Sequence, residues 1–478
     1  MLTPVQQLWR ATALLICAAA LVPAGAVELQ VDCGKPVGQI RSLHGVNNGP
    51  MQSGELIDTS AYFKEIAVPF SRLHDCDWPN PDVVDIHAIF RDLRADPADP
   101  ASYDFRRTDD FLKALVGTGS KVVYRLGESI EHTRRKYRVN PPADPERWVA
   151  ACVGIIRHYN QGWANGFHHD IRYWEIWNEP ENRPAMWTGS DDDFLRLYEA
   201  AATAIKTKFP ELKVGGPSFG YSGKIADGKF EPSEFLLKFL ERCRSKSLAL
   251  DFLSWHLYTN DPSECIVRAR GLRRVLDERG FEKTELHFNE WNYLPGNDWT
   301  PMGLAGQGKL REKFYAQIGG APGAAFSACV LVNLQDSPVD VANYYSGDTQ
   351  GFGLFSAHGV PHKTFYAFKA FRMLLDTPQR LETRGSQPSR LAICAGTNTE
   401  KSEVRILVSN FNSPDATIKL AVQGLPWQGP TVCRGWVVDE NRELAPEQES
   451  EVSGDVPTIT RELKAPAVWL LILSPRGR

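Results

Sequence analysis

The chain has 478 residues, of which 42% are hydrophobic and 23% charged, and its formal net charge is −4 at pH 7. This length allows more than one domain, and the composition is that of an ordinary globular protein. The small net charge and the lack of a basic stripe in the sequence argue against a nucleic-acid partner. After the N-terminus no apolar run reaches the length of a membrane helix, so we expect no membrane contact by the mature chain.

The N-terminus has the three parts of an export signal. Arg10 closes a short first segment, residues 11–22 are apolar, and residues 24–26 read Ala-Gly-Ala, a small-residue cleavage site. We therefore predict a signal peptide over residues 1–26 and a secreted or periplasmic protein. An uncleaved N-terminal anchor is the alternative.

Export would expose the cysteines that follow the signal peptide to an oxidising compartment, where disulfides form. The sequence has nine cysteines and no Cys-x-x-Cys pair, so it shows no metal spacing. Cys394 and Cys433 both fall in the β-rich C-terminal part and are candidates for a bridge. Cys243 and Cys265 flank a predicted strand and are a second candidate pair.

Strand-like and helix-like segments alternate through most of the chain. Helical periodicity is clearest over residues 191–209, with Ser190 as the expected N-cap. Repeated βα units predict a (β/α)₈ barrel over residues 39–377, with its active site at the C-terminal ends of the strands. A doubly wound sheet is the alternative, but it would require a glycine-rich phosphate loop that the sequence lacks. The predicted strands are 39–46, 68–74, 121–126, 171–178, 213–216, 251–258, 285–289 and 328–334.

From about residue 378 short strand-like segments follow one another without a helical period between them. They are separated by Gly, Pro, Asn and Asp, which is typical of a β-sandwich. We predict this domain over residues 378–478, and we expect a strand within residues 27–38 to join it. The predicted strands are 390–395, 403–410, 416–422, 431–437 and 468–473.

Two glutamates follow predicted barrel strands directly. Residues 174–181 read Trp-Glu-Ile-Trp-Asn-Glu-Pro-Glu, which places Glu179 after the fourth strand, and Glu290 ends the seventh. Two carboxylates at the ends of separate strands are what glycosidic bond cleavage requires. A pair about 5 Å apart gives retention of configuration, whereas a wider pair gives inversion. We predict a retaining glycoside hydrolase that needs no cofactor.

A third carboxylate, Glu175, has a different expected role. Residues 175, 177 and 179 share one face of the predicted strand, which puts Glu175 one layer deeper in the barrel than Glu179. A buried carboxylate needs a partner, and Arg72 or Arg125 on neighbouring strands would supply it. We therefore expect Glu175 to be structural.

The motifs in this order resemble those of glycoside hydrolase family thirty-nine, which holds β-xylosidases and α-L-iduronidases. The resemblance rests on Trp-Asn-Glu-Pro after the fourth strand, on the glutamate ending the seventh, and on Arg72-Leu-His74 at the end of the second. Residues 251–258 are similar to the family's sixth-strand motif, and residues 351–354 and 361–368 to its segment after the eighth. The similarity extends through nearly the whole mature chain.

The resemblance implies that Glu179 is the acid/base and Glu290 the nucleophile. It also implies that Asn178 bonds the sugar 2-hydroxyl and that His256 or Tyr258 supports the nucleophile. The remaining residues expected to line the substrate site are Arg72, His74, His44, Trp291 and Trp299. The two tryptophans lie at strand ends, where they would either stack on sugar rings or pack the loops down.

Four histidines raise the question of a metal. His44, His74, His168 and His169 lie on different predicted elements and show no ligand spacing, so we expect no metal. The expected partner is an oligo- or polysaccharide, cleaved from one end, with β-xylosidase the leading activity. An α-L-arabinoside, galactoside or uronide substrate remains open. A catalytically inactive carbohydrate-binding barrel and a transglycosylase are the alternative functions.

Overall fold

The computed structural model describes residues 25–52, 56–77 and 83–477. The predicted signal peptide lies outside these residues except for its last two positions. Within the described part no single helix has the length and apolar character needed to cross a bilayer, and one bent pair, Lys309–Gly319 with Ala321–Asp336, meets that requirement only in combination.

The core of the molecule is a closed barrel of parallel strands. The barrel closes where its last strand pairs with its first, Asn343 beside Gly45. The close approach of three strands at Gly45 requires glycine, because an added Cβ would lie 2.6 Å from the carbonyl oxygen of Ala342. The strands, in chain order, are Gly45–Asn47, Phe70–Leu73, Lys121–Leu126, Tyr173–Ile176, Lys213–Phe219, Phe252–Thr259, Glu285–Tyr293 and Val341–Tyr344.

Two predicted barrel strands were wrong. Residues 328–334 belong to the helix Ala321–Asn333 and the short turn after it, and the eighth strand is Val341–Tyr344. That helix is buried on all sides, so its apolar run has no helical period in the sequence. The first strand covers only Gly45–Asn47, because residue 39 ends a strand of the other sheet.

Helices surround the barrel and lie between successive strands in the order of the chain. In Asp191–Lys208 the Ser190 hydroxyl accepts the Asp193 N–H and the Asp193 carboxylate accepts the Ser190 N–H, which confirms the predicted cap. The helices are Ser60–Glu65, Ile86–Ile89, Arg106–Val116, Pro145–Gln161, Asp191–Lys208, Glu234–Ser245, Glu264–Asp277, Lys309–Gly319, Ala321–Asn333 and Lys363–Leu374.

A second, mostly antiparallel sheet of ten strands follows the barrel and encloses its own apolar core. The N-terminal strand Val27–Gln39 lies in this sheet, parallel to Thr417–Gln423 and antiparallel to Gln379–Arg384. Together with the barrel this confirms the predicted fold class. The other strands are Leu391–Thr397, Val404–Asn410, Thr431–Val438, Glu443–Pro446, Ser450–Val452, Thr458–Glu462 and Ala467–Pro475.

The second sheet packs directly on the barrel through two of the barrel's helices. The Ser409 hydroxyl donates to the Ala325 carbonyl at 2.7 Å, and Leu407 and Leu470 of the sheet belong to the same apolar cluster as the barrel interior. Burial of a continuous apolar surface couples the stability of the two parts.

The eight cysteines in the described residues are free thiols, so neither candidate disulfide forms. Cys394 faces the apolar cluster shared with the barrel, whereas Cys433 faces the interior of the second sheet. Cys243 and Cys265 lie on separate helices, each turned inward. Opposed faces and separate helices keep these sulfur atoms apart.

Candidate active site

The end of the fourth barrel strand turns sharply and brings Glu179 into the barrel mouth. The strand ends at Ile176, and Trp177 then adopts a left-handed conformation with φ 70°. Its indole is buried against Trp187 instead of facing the barrel axis, so the strand parity used for residues 175, 177 and 179 was wrong at Trp177. Glu179 is also left-handed, with φ 44°, and its N–H donates to the Ser218 carbonyl at 3.0 Å. Such conformations are uncommon for bulky residues and cluster at functional sites.

A β-bulge at the end of the seventh strand aims Glu290 into the same space. Trp255 pairs with Phe288, but the next residue, His256, pairs with Glu290, which leaves Asn289 as the extra residue. Asn289 and Glu290 therefore both reach the barrel interior, as bulges commonly arrange.

The bulge also explains why the prediction for Trp291 was wrong. After the extra residue the strand alternation is reversed, and the Trp291 side chain points outward. It is fully buried between Tyr344 and Phe368, whose ring centroids lie 5.1 and 6.3 Å from its own. Trp291 therefore has no exposed surface on which a sugar ring could stack.

The two strand-end carboxylates lie close together with His256 between them. His256 Nδ1 is 2.7 Å from Glu179 Oε1, and its Nε2 is 3.5 Å from Glu290 Oε2. One carboxylate oxygen from each glutamate and a ring nitrogen all lie within 4.8 Å of one another. Tyr258 lies on the other side of the nucleophile candidate, and its hydroxyl donates to Glu290 Oε1 at 2.7 Å.

Arg72 is fully buried beneath these groups and contacts several of them. Its Nε donates to Glu175 Oε2 at 2.6 Å, its Nη1 to Glu290 Oε2 at 3.1 Å, and its Nη2 to Asn178 Oδ1 at 2.6 Å. The structural role predicted for Glu175 is confirmed, with Arg72 as the partner. Arg125 pairs instead with Asp85 at 2.5 Å.

Sequence reasoning missed Ser218, which connects these residues. Its hydroxyl accepts from Arg72 Nη2 at 2.8 Å and from Asn289 Nδ2 at 2.8 Å, and it donates to Asn178 Oδ1 at 3.0 Å. His256 Nε2 lies 2.5 Å from the same oxygen. The available signal was Gly-Gly-Pro-Ser at residues 215–218, because glycine and proline inside a strand mark an irregular end.

The charges around His256 favour its protonated form. Burial lowers the pKa of His256, but the charge of Glu290 and the hydrogen bond and charge of Glu179 outweigh this and raise it. For Glu179, burial raises the pKa, but the hydrogen bond and charge of His256, the hydrogen bond from Asn182 and the charge of Arg72 lower it overall. Both shifts favour a protonated imidazole beside an ionised Glu179.

Two further carboxyls near the site have raised pKa values. Burial, together with the charges of Glu290 and Asp85, raises the pKa of Asp75 to about 7. Burial and the charge of Glu179 raise the pKa of Glu181 to about 7, although Tyr221 donates its N–H to Glu181 Oε1 at 2.8 Å. Both carboxyls titrate near neutral pH, where a change in their charge alters the field at the site.

The three other residues predicted to line the substrate site, His74, Trp299 and His44, lie in different parts of the barrel. His74 lies at the end of the second strand, 3.3 Å from Asp75, and burial and nearby arginines lower its pKa. The side chain of Trp299 is 47% exposed, and its ring centroid lies 5.0 Å from that of Tyr258. The prediction for His44 was wrong: it precedes the first strand, at the opposite end of the barrel. There its Nε2 lies 2.9 Å from the Ile66 carbonyl, and burial lowers its pKa to about 4.

Two groups of described residues have the ligand types of a metal site. They are Glu179, His256 and Glu290, and Asp85, His87 and Glu128. In each group the imidazole contacts a carboxylate directly, His256 with Glu179 and His87 with Glu128. These contacts explain the clustering as hydrogen-bonded pairs.

The sequence of this chain matches the profile of a known protein family. The sequence profile of glycosyl hydrolases family 39 matches residues 82–403, more than half of the chain. A β-xylosidase of Caldicellulosiruptor saccharolyticus is 25% identical over 350 residues, and one of Geobacillus stearothermophilus is 26% identical over 291 residues. The matched segments cover 66% and 56% of this chain, but only 62% and 52% of the two relatives.

Solved structures agree over nearly the whole chain. A glucosidase from Croceicoccus marinus has a TM-score of 0.77 at 25% identity, covering 95% of this chain and 100% of its own. A monomeric β-xylosidase from Caulobacter crescentus has a TM-score of 0.70 at 18% identity, with coverage of 95% and 100%, and shares the fold. The resemblance noted in the sequence is confirmed: this chain belongs to glycosyl hydrolases family 39.

Proposed function

We propose that this protein is a retaining glycosidase in which Glu290 attacks the anomeric carbon and Glu179 protonates the leaving oxygen. The observation that carries the proposal is the separation of their nearest carboxylate oxygens, which is at most 4.8 Å. Retaining enzymes hold the two carboxyl groups about 5–5.5 Å apart, whereas inverting enzymes need about 6.5–9.5 Å to admit a water molecule.

The environments of the two glutamates support different roles. Glu290 accepts hydrogen bonds from Arg72 and Tyr258, which orient it and offset its negative charge, as a nucleophile requires. Glu179 Oε1 lies 2.7 Å from Nδ1 of His256, whose raised pKa favours the protonated ring. A proton shared along that contact is available to the leaving oxygen.

The second half of the reaction uses the same groups in reverse. Once Glu290 is glycosylated its charge is gone, and so is one of the two carboxylate charges that raised the pKa of His256. Glu179 then accepts a proton from water, which attacks the anomeric carbon and regenerates the free nucleophile with net retention.

Single substitutions test the two roles. Glu290→Ala should abolish turnover of every glycoside, because no covalent intermediate forms. Glu179→Ala should lower kcat/KM about 10²–10⁴-fold for a disaccharide but much less for a nitrophenyl glycoside, whose leaving group needs little protonation. Azide should restore part of the Glu179→Ala rate and give a glycosyl azide of retained configuration. An inverted azide, or appreciable turnover by Glu290→Ala, would contradict the assignment.

For the sugar released we propose xylose, from the non-reducing end of a β-linked oligosaccharide. The support is the similarity to two β-xylosidases. The likeness to a glucosidase makes glucose the second candidate. A panel of nitrophenyl glycosides of xylose, glucose, arabinose, galactose, fucose and uronic acids, with Glu290→Ala as the blank, identifies the sugar directly.

Two alternatives are separated by product analysis. A catalytically inactive carbohydrate-binding barrel would bind saccharides without turning any of them over. A transglycosylase shares the covalent intermediate and differs in the acceptor, so added xylose oligomers would be extended rather than shortened. Two carboxylates at a catalytic separation favour an enzyme over the inactive barrel, and the products formed with added acceptors separate the hydrolase from the transglycosylase.

We also propose that the protein is exported and that the mature chain begins near Val27. The basis is the apolar run and small-residue cleavage site at the N-terminus. N-terminal sequencing of the protein recovered from the medium or periplasm tests this, and recovery of the intact leader on membranes would contradict it.

A further inference from the structure

A cavity of about 650 Å³ opens next to the fifth and sixth barrel strands and is lined by His256 and Tyr258, which contact Glu179 and Glu290. Its walls include the first strand, Gly223–Ala226, and the turn of a β-hairpin whose second strand is Lys229–Pro232, and the start of the helix Glu264–Asp277. Ligand cavities span about 300–1,000 Å³ and take drug-sized molecules, so this groove offers more room than one sugar ring needs.

The groove is continuous with the acid/base candidate rather than with the far side of the barrel. Gly220 and His256 line it. A Cβ added to Gly220 would lie 2.4 Å from Glu179 Oε1, so the groove begins at that carboxylate. Because the acid protonates the leaving oxygen, the space next to it is where the departing part of the substrate lies.

Two aromatic side chains are exposed along the groove. Tyr221 is 55% exposed and Trp299 is 47% exposed. Trp299 is held edge-on to Tyr258, with ring centroids 5.0 Å apart, so its position is fixed relative to the site. Exposed aromatic faces with a fixed position provide flat apolar surfaces, on which the C–H faces of sugar rings stack.

Three of the four charged side chains that line the groove are in ion pairs, and the fourth, Asp261, accepts hydrogen bonds from the Ser263 N–H and hydroxyl. Arg268 pairs with Glu264 at 2.6 Å and donates to the Gly223 carbonyl at 2.7 Å. Lys224 lies 3.2 Å from Glu231 across the hairpin. A groove in which both cations are paired and the free carboxylate is already hydrogen-bonded favours a neutral ligand over an ionic one.

We propose that this groove binds the leaving-group portion of a neutral oligosaccharide, with Tyr221 as a stacking residue beyond the sugar joined to the scissile bond. The proposal rests on the proposed glycosidase function and adds that the enzyme acts best on chains longer than a disaccharide. The hairpin and Tyr221 form a binding surface that a substrate with a small leaving group does not reach.

The test compares substrates that differ only in the leaving group. We would measure kcat/KM for β-xylosyl fluoride, xylobiose and xylotriose, with the matching glucose series in parallel. The variants are Tyr221→Ala, Tyr221→Phe and, as a matched control, Tyr366→Ala, which removes a half-buried tyrosine from the helix Lys363–Leu374.

We expect Tyr221→Ala to lower the ratio of kcat/KM for the trisaccharide to that for the fluoride about fivefold, the size of one stacking contact. Activity on the fluoride should stay unchanged, and Tyr221→Phe and Tyr366→Ala should keep the wild-type ratio. An unchanged ratio in Tyr221→Ala, or an equal loss on fluoride and trisaccharide, would overturn the groove assignment alone. No turnover of either fluoride by the wild-type protein would overturn the proposed function, and the groove assignment with it.

Discussion

His256 links the two carboxylates to which the proposed mechanism assigns the chemistry. It contacts Glu179 at 2.7 Å and approaches Glu290 at 3.5 Å, and both charges raise its pKa. Two carboxylates this close repel each other, and a proton on the imidazole between them relieves that repulsion. In the proposed mechanism the same proton lies next to Glu179, the residue that would protonate the leaving group. One side chain therefore both stabilises the resting site and keeps it ready for catalysis.

Glu181 supplies a pH-dependent prediction at this scale. Its pKa is raised from 4.5 to about 7, so the folded state binds a proton more tightly than the unfolded chain does. The contribution of Glu181 to the free energy of unfolding is therefore fully present below pH 4.5 and is lost as the pH rises from 4.5 to about 7. Glu181→Gln, which cannot ionise, should gain in Tm relative to wild type at pH 8 but not at pH 4.

Tm measured by calorimetry at the two pH values decides this, with the exposed Glu440→Gln as the control. Glu181→Gln keeps an acceptor for the Tyr221 N–H, so no hydrogen bond is lost. A Tm difference that does not depend on pH would contradict the prediction.

The Arg72–Glu175 pair supplies the second prediction. Both side chains are fully buried. Arg72→Met should lower the free energy of unfolding by about 3–5 kcal/mol, because it leaves Glu175 buried without its partner. The double variant Arg72→Met/Glu175→Met should recover most of that stability without recovering activity, since Arg72 also contacts Glu290 and Asn178.

Urea unfolding of the two variants, with kcat/KM measured on the same samples, tests this. If the double variant were no more stable than the single one, the uncompensated charge would not be the cause of the loss. Recovery of activity in the double variant would show that Arg72 is only a partner of Glu175.

At the scale of elements, irregular strand ends position the site. The left-handed turn at Trp177 and the bulge at Asn289 each redirect a glutamate into the barrel mouth. Their position at strand ends was enough to single out Glu179 and Glu290 in the sequence. Regular alternation failed at Trp177, and the strand-end position of Trp291 did not reveal that its side chain is buried. A single extra residue reverses every side chain that follows it.

The eighth barrel strand was not predicted from the sequence, for a different reason. Its residues, Val341–Tyr344, form too short a run to show a period, whereas the fully buried helix Ala321–Asn333 gives a long apolar run that suggests a strand. Burial on every side removes the polar face by which a helix is recognised. The pairing of Arg72 with Glu175 was predictable, because a buried carboxylate requires a cation nearby.

The turn after the fifth strand supplies the third prediction. Gly220→Ala would place a methyl group 2.4 Å from Glu179 Oε1, so the carboxylate must move. A displacement of about 1 Å at a catalytic group costs roughly 10²-fold, and we expect this loss in kcat/KM on a disaccharide. The loss on a nitrophenyl glycoside should be smaller.

Gly303→Ala, where an added Cβ meets its nearest atom at 3.5 Å, is the control and should be neutral. An equal loss on both substrates would mean that Gly220→Ala disturbs more than the acid/base. An unchanged kcat/KM on the disaccharide would show that the site absorbs the methyl group.

At the scale of the whole molecule, the barrel and the second sheet share one apolar cluster. Leu407 and Leu470 of the sheet pack with the barrel interior, and Ser409 is bonded to the Ala325 carbonyl. We therefore expect calorimetry to show one cooperative transition, with the calorimetric and van't Hoff enthalpies equal. Leu470→Asp should lower its midpoint and inactivate the enzyme at the same temperature. Two resolved transitions would contradict this coupling.

The fold class follows from the alternation of strands and helices and from the change of texture near residue 378, both visible in the sequence. The docking of the sheet on the barrel does not, because it depends on long-range packing of the helices Ala321–Asn333 and Lys363–Leu374. The thiols illustrate the same point: a shared place in the β-rich part suggested a bridge between Cys394 and Cys433, but the faces to which they turn became visible only in the folded chain.

The central claim is a covalent intermediate on Glu290. The most direct test is to incubate the protein with a 2-deoxy-2-fluoro-xyloside or -glucoside carrying a good leaving group, which forms the intermediate but slows its hydrolysis, and then to digest it for mass spectrometry. We predict one added fluorosugar, located on the peptide that contains Glu290. A label on Glu179, or turnover with an inverted product and no label, would contradict the proposed mechanism.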